Sequence, residues 1–233
     1  MTQWPTAAEW SVVALSLRVS VLAVGLTLPF AYGLAWLLAR RRFPGRIVLD
    51  AAVHLPLVLP PVVTGWVLLL LFGRTGPLGA WLERTFGLVL VFRWTGAALA
   101  AAVMALPLMV RAMRLSIEAV DRRLVGAART LGATPWRAFR TITLPLSLPG
   151  VAAGTMLGFA RSLGEFGATI TFASNIPGQT RTLPLAIYTD LQVPGAEGAV
   201  TRLAIVSVLL SVAALLASEL LVRRSHGRRA HVL

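Results

Sequence analysis

The chain has 233 residues, 57% of them hydrophobic and only 13% charged, which is more apolar surface than a soluble domain of that length can bury. Its formal net charge of +13 comes from Arg alone, clustered beside long apolar runs, and this marks membrane topology and excludes a nucleic-acid footprint. Cysteine is absent, which excludes disulfides, thiolate metal sites and cysteine nucleophiles.

The first nine residues carry one acid, Glu9, and no Arg, so the first apolar run reads as a retained span and not as a cleaved leader. Trp4 and Trp10 precede it, where amphipathic rings favour the headgroup boundary. A hydrocarbon slab of about 30 Å takes roughly 20 helical residues. Five segments qualify, at 12–39, 51–72, 94–110, 146–166 and 203–222. Arg18 interrupts the first, close enough to its outer end for the guanidinium to snorkel to the headgroups. Arg40, Arg41, Arg42 and Arg46 follow this span, and in the second Pro56, Pro60 and Pro61 lie close to Thr64 and Gly65. Proline removes a backbone donor, so this cluster predicts a broken helix beside a pathway. His54, at the inner end of that span, stands alone and reads as a bystander.

The third span leads into a polar stretch, 114–145, that is rich in Arg and helical in pattern. Val120, Leu124, Ala127, Ala128 and Leu131 recur at helical spacing and form one apolar face. Gly132 suits a helix C-terminus, and Thr134 followed by Pro135 suits a new N-cap and first turn. Two short helices therefore meet at a tight turn whose small residues allow another protein's groove to approach. In the fourth span Arg161 and Glu165 stand at i, i+4 in the outer half. The pair either neutralises itself or holds an outer gate. Segment 175–184 and the following 185–191 are too short to span and read as an external cap. The fifth span ends in a basic tail with Arg223, Arg224, Arg228, Arg229, His226 and His231. Arg clusters after the first, third and fifth spans predict a cytoplasmic C-terminus and an external N-terminus. The expected fold is an all-α polytopic bundle of about five spans, a single domain over 1–233.

The pattern Gly126-Ala127-Ala128, three residues, Gly132, nine residues, Ile142-Thr143-Leu144-Pro145 resembles the coupling loop of ABC importer permeases, with Gly126 where that pattern has Glu. The blocks HLPLVLPPVV at 54–63, ALPLMVRA at 105–112 and ARSLGEFGATI at 160–170 are similar to those of molybdate permeases of the ModB family; the third is shared with sulfate and thiosulfate permeases. The resemblance implies a type I importer permease in the bacterial inner membrane. It implies a homodimer that carries molybdate with a separate ATP-binding subunit (ModC-like) and an external molybdate-binding protein (ModA-like). It assigns coupling to Gly126, Ala127, Ala128, Gly132, Ala133, Pro135, Ile142, Leu144 and Pro145. Candidates for the pathway or gate are Arg161, Ser162, Glu165, Thr64, Thr169, Pro60 and Pro61. With no Lys, the chain has no phosphate-binding loop of the Gly-Lys-Ser/Thr kind, so ATP hydrolysis is expected of a partner. No cofactor, metal or catalytic residue is expected. Rival readings are a sulfate, thiosulfate or tungstate permease, and an ATP-independent anion carrier or channel.

Overall fold

The structure, a computed structural model, describes residues 6–227 and is built of helices. Trp4, Arg228, Arg229 and His231 lie outside the described residues, as do the side chains of Arg223, Arg224 and His226. Among the described residues four helices are long and apolar enough to cross a membrane: α1 (Ala7–Arg40), α5 (Trp94–Glu118), the run Pro135–Leu163 and the start of α11 (Glu197–Gly227).

Helix α1 starts on a capping box. The Thr6 hydroxyl accepts from the Glu9 N–H at 3.2 Å, and the Glu9 carboxylate accepts from the Thr6 N–H at 2.8 Å. Its 34 residues extend about 51 Å, well beyond the hydrocarbon thickness. Alanines on α1, among them Ala23, Ala31 and Ala35, share buried clusters with Ala97, Ala101 and Ala105 on α5. Without bulky side chains between them the backbones approach closely, which is how helices associate in lipid. Arg18 is exposed, and its guanidinium lies 3.8 Å above the Trp94 ring at the start of α5.

The run that crosses next to α5 contains α7 (Pro135–Ala138), a π-helical turn (Phe139–Thr143) and α8 (Leu144–Leu163). Gly150, Gly154 and Gly158 of α8 recur every four residues against α5. A Cβ at Gly154 would lie 3.1 Å from the Met109 carbonyl and one at Gly158 2.6 Å from Met109 Sδ, while one at Gly150 would collide with Ser116. These three glycines set how closely α5 and α8 pack.

No straight helix occupies 51–72. Residues Arg46–Val58 (α2) and Pro61–Phe72 (α3) diverge by 116°. Leu59 and Pro60 are extended, and Pro61 opens α3 at a position where no amide hydrogen is required. At about 20 Å and 18 Å, neither half crosses the slab alone. Near the start of α2, Asp50 pairs with Arg114 at the end of α5, whereas Leu68 of α3 packs with Ala100 and Met104 nearer the other end. The elbow at Pro60 thus connects the Arg-rich end of the bundle to the opposite end. His54 is not alone either, because its Nδ1 lies 2.8 Å from the Asp50 carbonyl and 3.3 Å from the Asp50 carboxylate.

Short helices close the ends. α4 (Pro77–Phe86) follows α3, α6 (Arg122–Thr130) follows α5, α9 (Gly167–Ala173) follows α8, and α10 (Leu183–Asp190) precedes α11. The N–H of Leu183, which opens α10, donates to Ser16 Oγ on α1 at 2.7 Å, a buried cap supplied from 167 residues away. Glu9 and Arg202 pair at 2.8 Å and tie the start of α1 to α11.

Candidate functional site

Two places gather the residues singled out in the sequence. The first is the turn between α6 and α7. Asp121 caps α6 by accepting from the Arg123 N–H at 2.8 Å. The helix ends as a Schellman motif: the Gly132 N–H donates to the Arg129 carbonyl at 3.0 Å, the Ala133 N–H to the Ala128 carbonyl at 3.0 Å, and Gly132 takes φ +85°. Only glycine adopts that left-handed backbone without strain. Thr134 then caps α7, accepting from the Arg137 N–H at 3.2 Å, with Pro135 in its first turn. Gly126, Ala127 and Pro135 are exposed, Ala128 and Ala133 half-buried, and a Cβ at Gly126 would meet nothing within 4 Å. Ile142, in the π turn, and Leu144 are half-buried, and Pro145 is exposed where α8 begins.

None of the α6 residues is buried, and its apolar face is left open, with Leu124 49% and Leu131 89% exposed. Val120 alone of the expected face is buried. The turn is anchored from behind. Arg40 at the end of α1 donates to the Ile117 and Val120 carbonyls at 2.9 and 3.0 Å, holding the last turn of α5. Phe139 in the π turn stacks on Trp136 at 5.3 Å and meets Tyr32 and Trp36 of α1 edge-on. The Tyr32 hydroxyl is 2.9 Å from Ser147 Oγ on α8. Sequence reading treats Arg40 only as a topology charge and does not single out Tyr32 or Phe139. The sole signal for the aromatic set is its spacing on either side of the Arg-rich segment.

The second place is the end of α8. The helix stops at Leu163, so Arg161 and Glu165 do not share one helix, contrary to the expected span of 146–166. Glu165 stands in the break before α9. Its Oε2 lies 2.6 Å from Arg161 Nη1, an ionic contact without hydrogen-bond alignment, and its Oε1 accepts from the Ala168 N–H at 2.8 Å. The carboxylate therefore holds α8 with one oxygen and α9 with the other. Helix α9 packs against α3 through glycine on both sides: a Cβ at Gly65 would lie 2.7 Å from the Ala168 carbonyl, and one at Gly167 2.7 Å from Pro61 Cβ. The elbow residues Pro60 and Pro61 are thereby brought to the α8–α9 break, with Pro61 in direct contact. Thr64, Ser162, Glu165 and Thr169 are all at least 94% shielded, whereas a quarter of the Arg161 side chain is exposed. Their place is the packing between elements, not an open wall of this chain. The Thr64 and Ser162 hydroxyls have no hydrogen-bond partner there.

A family model described as binding-protein-dependent transport system inner membrane component matches residues 31–227. The molybdenum transport system permease protein ModB of Escherichia coli K12 is 59% identical over 223 residues, covering 96% of this chain and 97% of the relative. ModB of Haemophilus influenzae is 56% identical over 216 residues, 93% and 94% of the two chains. The sulfate transport system permease protein CysT of E. coli K12 is 39% identical over 226 residues, 95% and 78% of the two chains. Among solved structures, a bacterial ABC transporter that imports the acidic polysaccharide alginate aligns with a TM-score of 0.71 at 18% identity, covering 96% of this chain and 82% of that one. The inward-facing MetNI methionine ABC transporter aligns at 0.68 and 16% identity over 94% of each chain. These structural likenesses establish the fold, that of ABC importer permeases. On its sequence, fold and membrane-crossing helices, the chain belongs to the ModB family of binding-protein-dependent transport system inner membrane components.

Proposed function

We propose that this protein is the permease subunit of an ATP-driven molybdate importer. The observation that carries the reading is the open apolar face of α6 on a turn held rigidly from behind, in a chain 59% identical to a molybdenum permease over 96% of its length. Leu124, Ala127 and Leu131 dock into a cleft of a nucleotide-hydrolysing subunit, and Gly126, Ala128, Gly132, Ala133 and Pro135 keep that surface low and correctly turned. Ile142, Leu144 and Pro145 carry the motion into α8 through the π turn. Hydrolysis belongs to the partner, so this chain is not an enzyme.

Two copies enclose the path, residues 1–233 act as one domain, and a binding protein of the ModA type delivers the anion. The Arg asymmetry supports an external N-terminus and a cytoplasmic Arg-rich end. The Glu165 carboxylate, between α8, α9 and the elbow at Pro60 and Pro61, holds the outer gate shut. Arg161, partly exposed, presents positive potential to the passing dianion, and Thr64, Ser162 and Thr169 lie behind it. Closure of the ATPase dimer would draw the two turns together and open that gate.

The test is uptake by vesicles that hold this permease with its genomic ATPase and binding protein. Labelled molybdate should accumulate with ATP, and a hundredfold excess of sulfate should barely compete. Sulfate accumulation in its place would favour the activity named for the CysT relative, and uptake without an ATPase subunit would refute the ATP-driven class.

A further inference from the structure

At the Arg-rich end of α1 a cleft of about 680 Å³ opens beside the coupling turn. Arg40, Arg41, Arg42, Arg46 and Arg122 line it, with one acid, Glu118. That carboxylate is already engaged, since Glu118 Oε1 accepts from Arg114 Nε at 2.9 Å. Arg40 is engaged as well, with the carbonyls of Ile117 and Val120. Among the described residues Arg41, Arg42, Arg46 and Arg122 have no carboxylate partner, although Arg41 lies 5.6 Å from the Trp36 ring. Four guanidiniums facing one cleft repel each other unless an anion fills it, and planar guanidinium groups suit phosphoryl oxygens.

The cleft's surroundings identify the source of that anion. Trp36, one turn before Arg40, is at a position typical of the membrane interface. Ile47 and Val48, beside Arg46 at the start of α2, are 85% and 72% exposed. A free oxyanion needs the guanidiniums and has no use for neighbouring apolar side chains. A phospholipid uses both, with its phosphate in the cleft and its acyl chains along Ile47 and Val48. We propose that this cleft binds the phosphodiester headgroup of an anionic phospholipid from the adjoining leaflet. Because Arg40 and Arg122 border both the cleft and the coupling turn, the lipid stiffens the joint between α1 and α6.

The full chain, purified in a neutral detergent, is offered phosphatidylglycerol or phosphatidylcholine and examined by native mass spectrometry. Phosphatidylglycerol should be retained at least about tenfold better than phosphatidylcholine, and a large excess of inorganic phosphate should not displace it. The double variant Arg42→Gln plus Arg46→Gln should lower that retention roughly tenfold to thirtyfold, from two lost guanidiniums near the surface. The variant Arg74→Gln plus Arg84→Gln, with the same loss of charge at the opposite end, should leave it unchanged. Equal retention of the two lipids, an unaltered Arg42→Gln plus Arg46→Gln variant, an equal loss in the control, or displacement by phosphate would each overturn the assignment.

Discussion

Replacing Glu165 by Gln removes a charge and little else, since the amide oxygen can still accept from the Ala168 N–H. What is lost is the 2.6 Å contact to Arg161, in which the carboxylate is 2% exposed and the guanidinium side chain 25%. Breaking a fully buried pair costs about 3 to 5 kcal/mol, and an exposed pair is worth about 0 to 1. This pair, with one partner buried and the other a quarter exposed, lies between those limits, so Glu165→Gln should cost about 2 kcal/mol. Glu165→Ala also loses the cap on α9, about 1 kcal/mol more. The double variant Arg161→Gln plus Glu165→Gln leaves two neutral amides within reach of each other, and its loss should fall short of the summed single losses by about 2 kcal/mol, a factor near 30. Reversible unfolding titrated with sodium dodecyl sulfate in mixed micelles reads all five proteins, the wild type, Glu165→Gln, Glu165→Ala, Arg161→Gln and the double variant. In the assembled importer, Glu165→Gln should raise basal ATP hydrolysis or leak, and the double variant should partly restore the wild-type rate. If the single losses add to within about 0.5 kcal/mol, the pair does not act as a unit and the gate loses its latch.

Overpacking Gly150 with Leu should prevent α8 from seating on α5, a loss of about 3 kcal/mol or more visible as aggregated protein on size exclusion, because the added carbons meet Ser116 and the Ala112 carbonyl. Gly126→Glu restores the residue that the permease pattern carries and enters open space, so stability should change by less than about 0.5 kcal/mol, and capture of the ATPase subunit in a pull-down should be retained or improved. Gly132→Leu would strain a backbone at φ +85° by about 1 to 2 kcal/mol before any partner is met. The sharper test of docking is therefore Ala127→Leu on exposed helix, which should fold normally and lose ATPase capture at least about tenfold, a difference of about 1.4 kcal/mol in binding. A cysteine at Thr6 should react with an impermeant reagent added outside, and a reporter after Leu233 should be cytoplasmic; labelling only after membrane rupture would reverse the topology.

What could be read in the sequence follows from what local chemistry records. The spans of α1, α5 and α8 are carried by composition, and the break at Pro60 by proline's missing donor. The turn at Gly132 and Thr134 follows from capping preferences, and the structure contains both caps. The break after Leu163 was only partly legible, because Gly164 follows it directly but a lone glycine in an apolar run does not by itself separate a helix end from an ordinary span. It depends on Glu165 reaching the Ala168 amide, which only the fold reveals. The π turn at Phe139–Thr143 likewise has no composition of its own. The glycine stripe of α8 was legible in principle, since Gly150, Gly154 and Gly158 repeat every four residues. Its partner, the Met109 face of α5, was not.

The bond from the Leu183 N–H to Ser16 Oγ bears on biogenesis. During synthesis Ser16 enters the bilayer long before its acceptor role is called upon, and a bare hydroxyl in hydrocarbon would be costly for that interval. Its own hydrogen is given to the Val12 carbonyl at 2.9 Å, one helical turn back, so the residue is satisfied within α1 alone. Only the lone pair waits. Ser16 therefore needs no later element to satisfy its own hydrogen, and α10 finds its cap already oriented when it emerges.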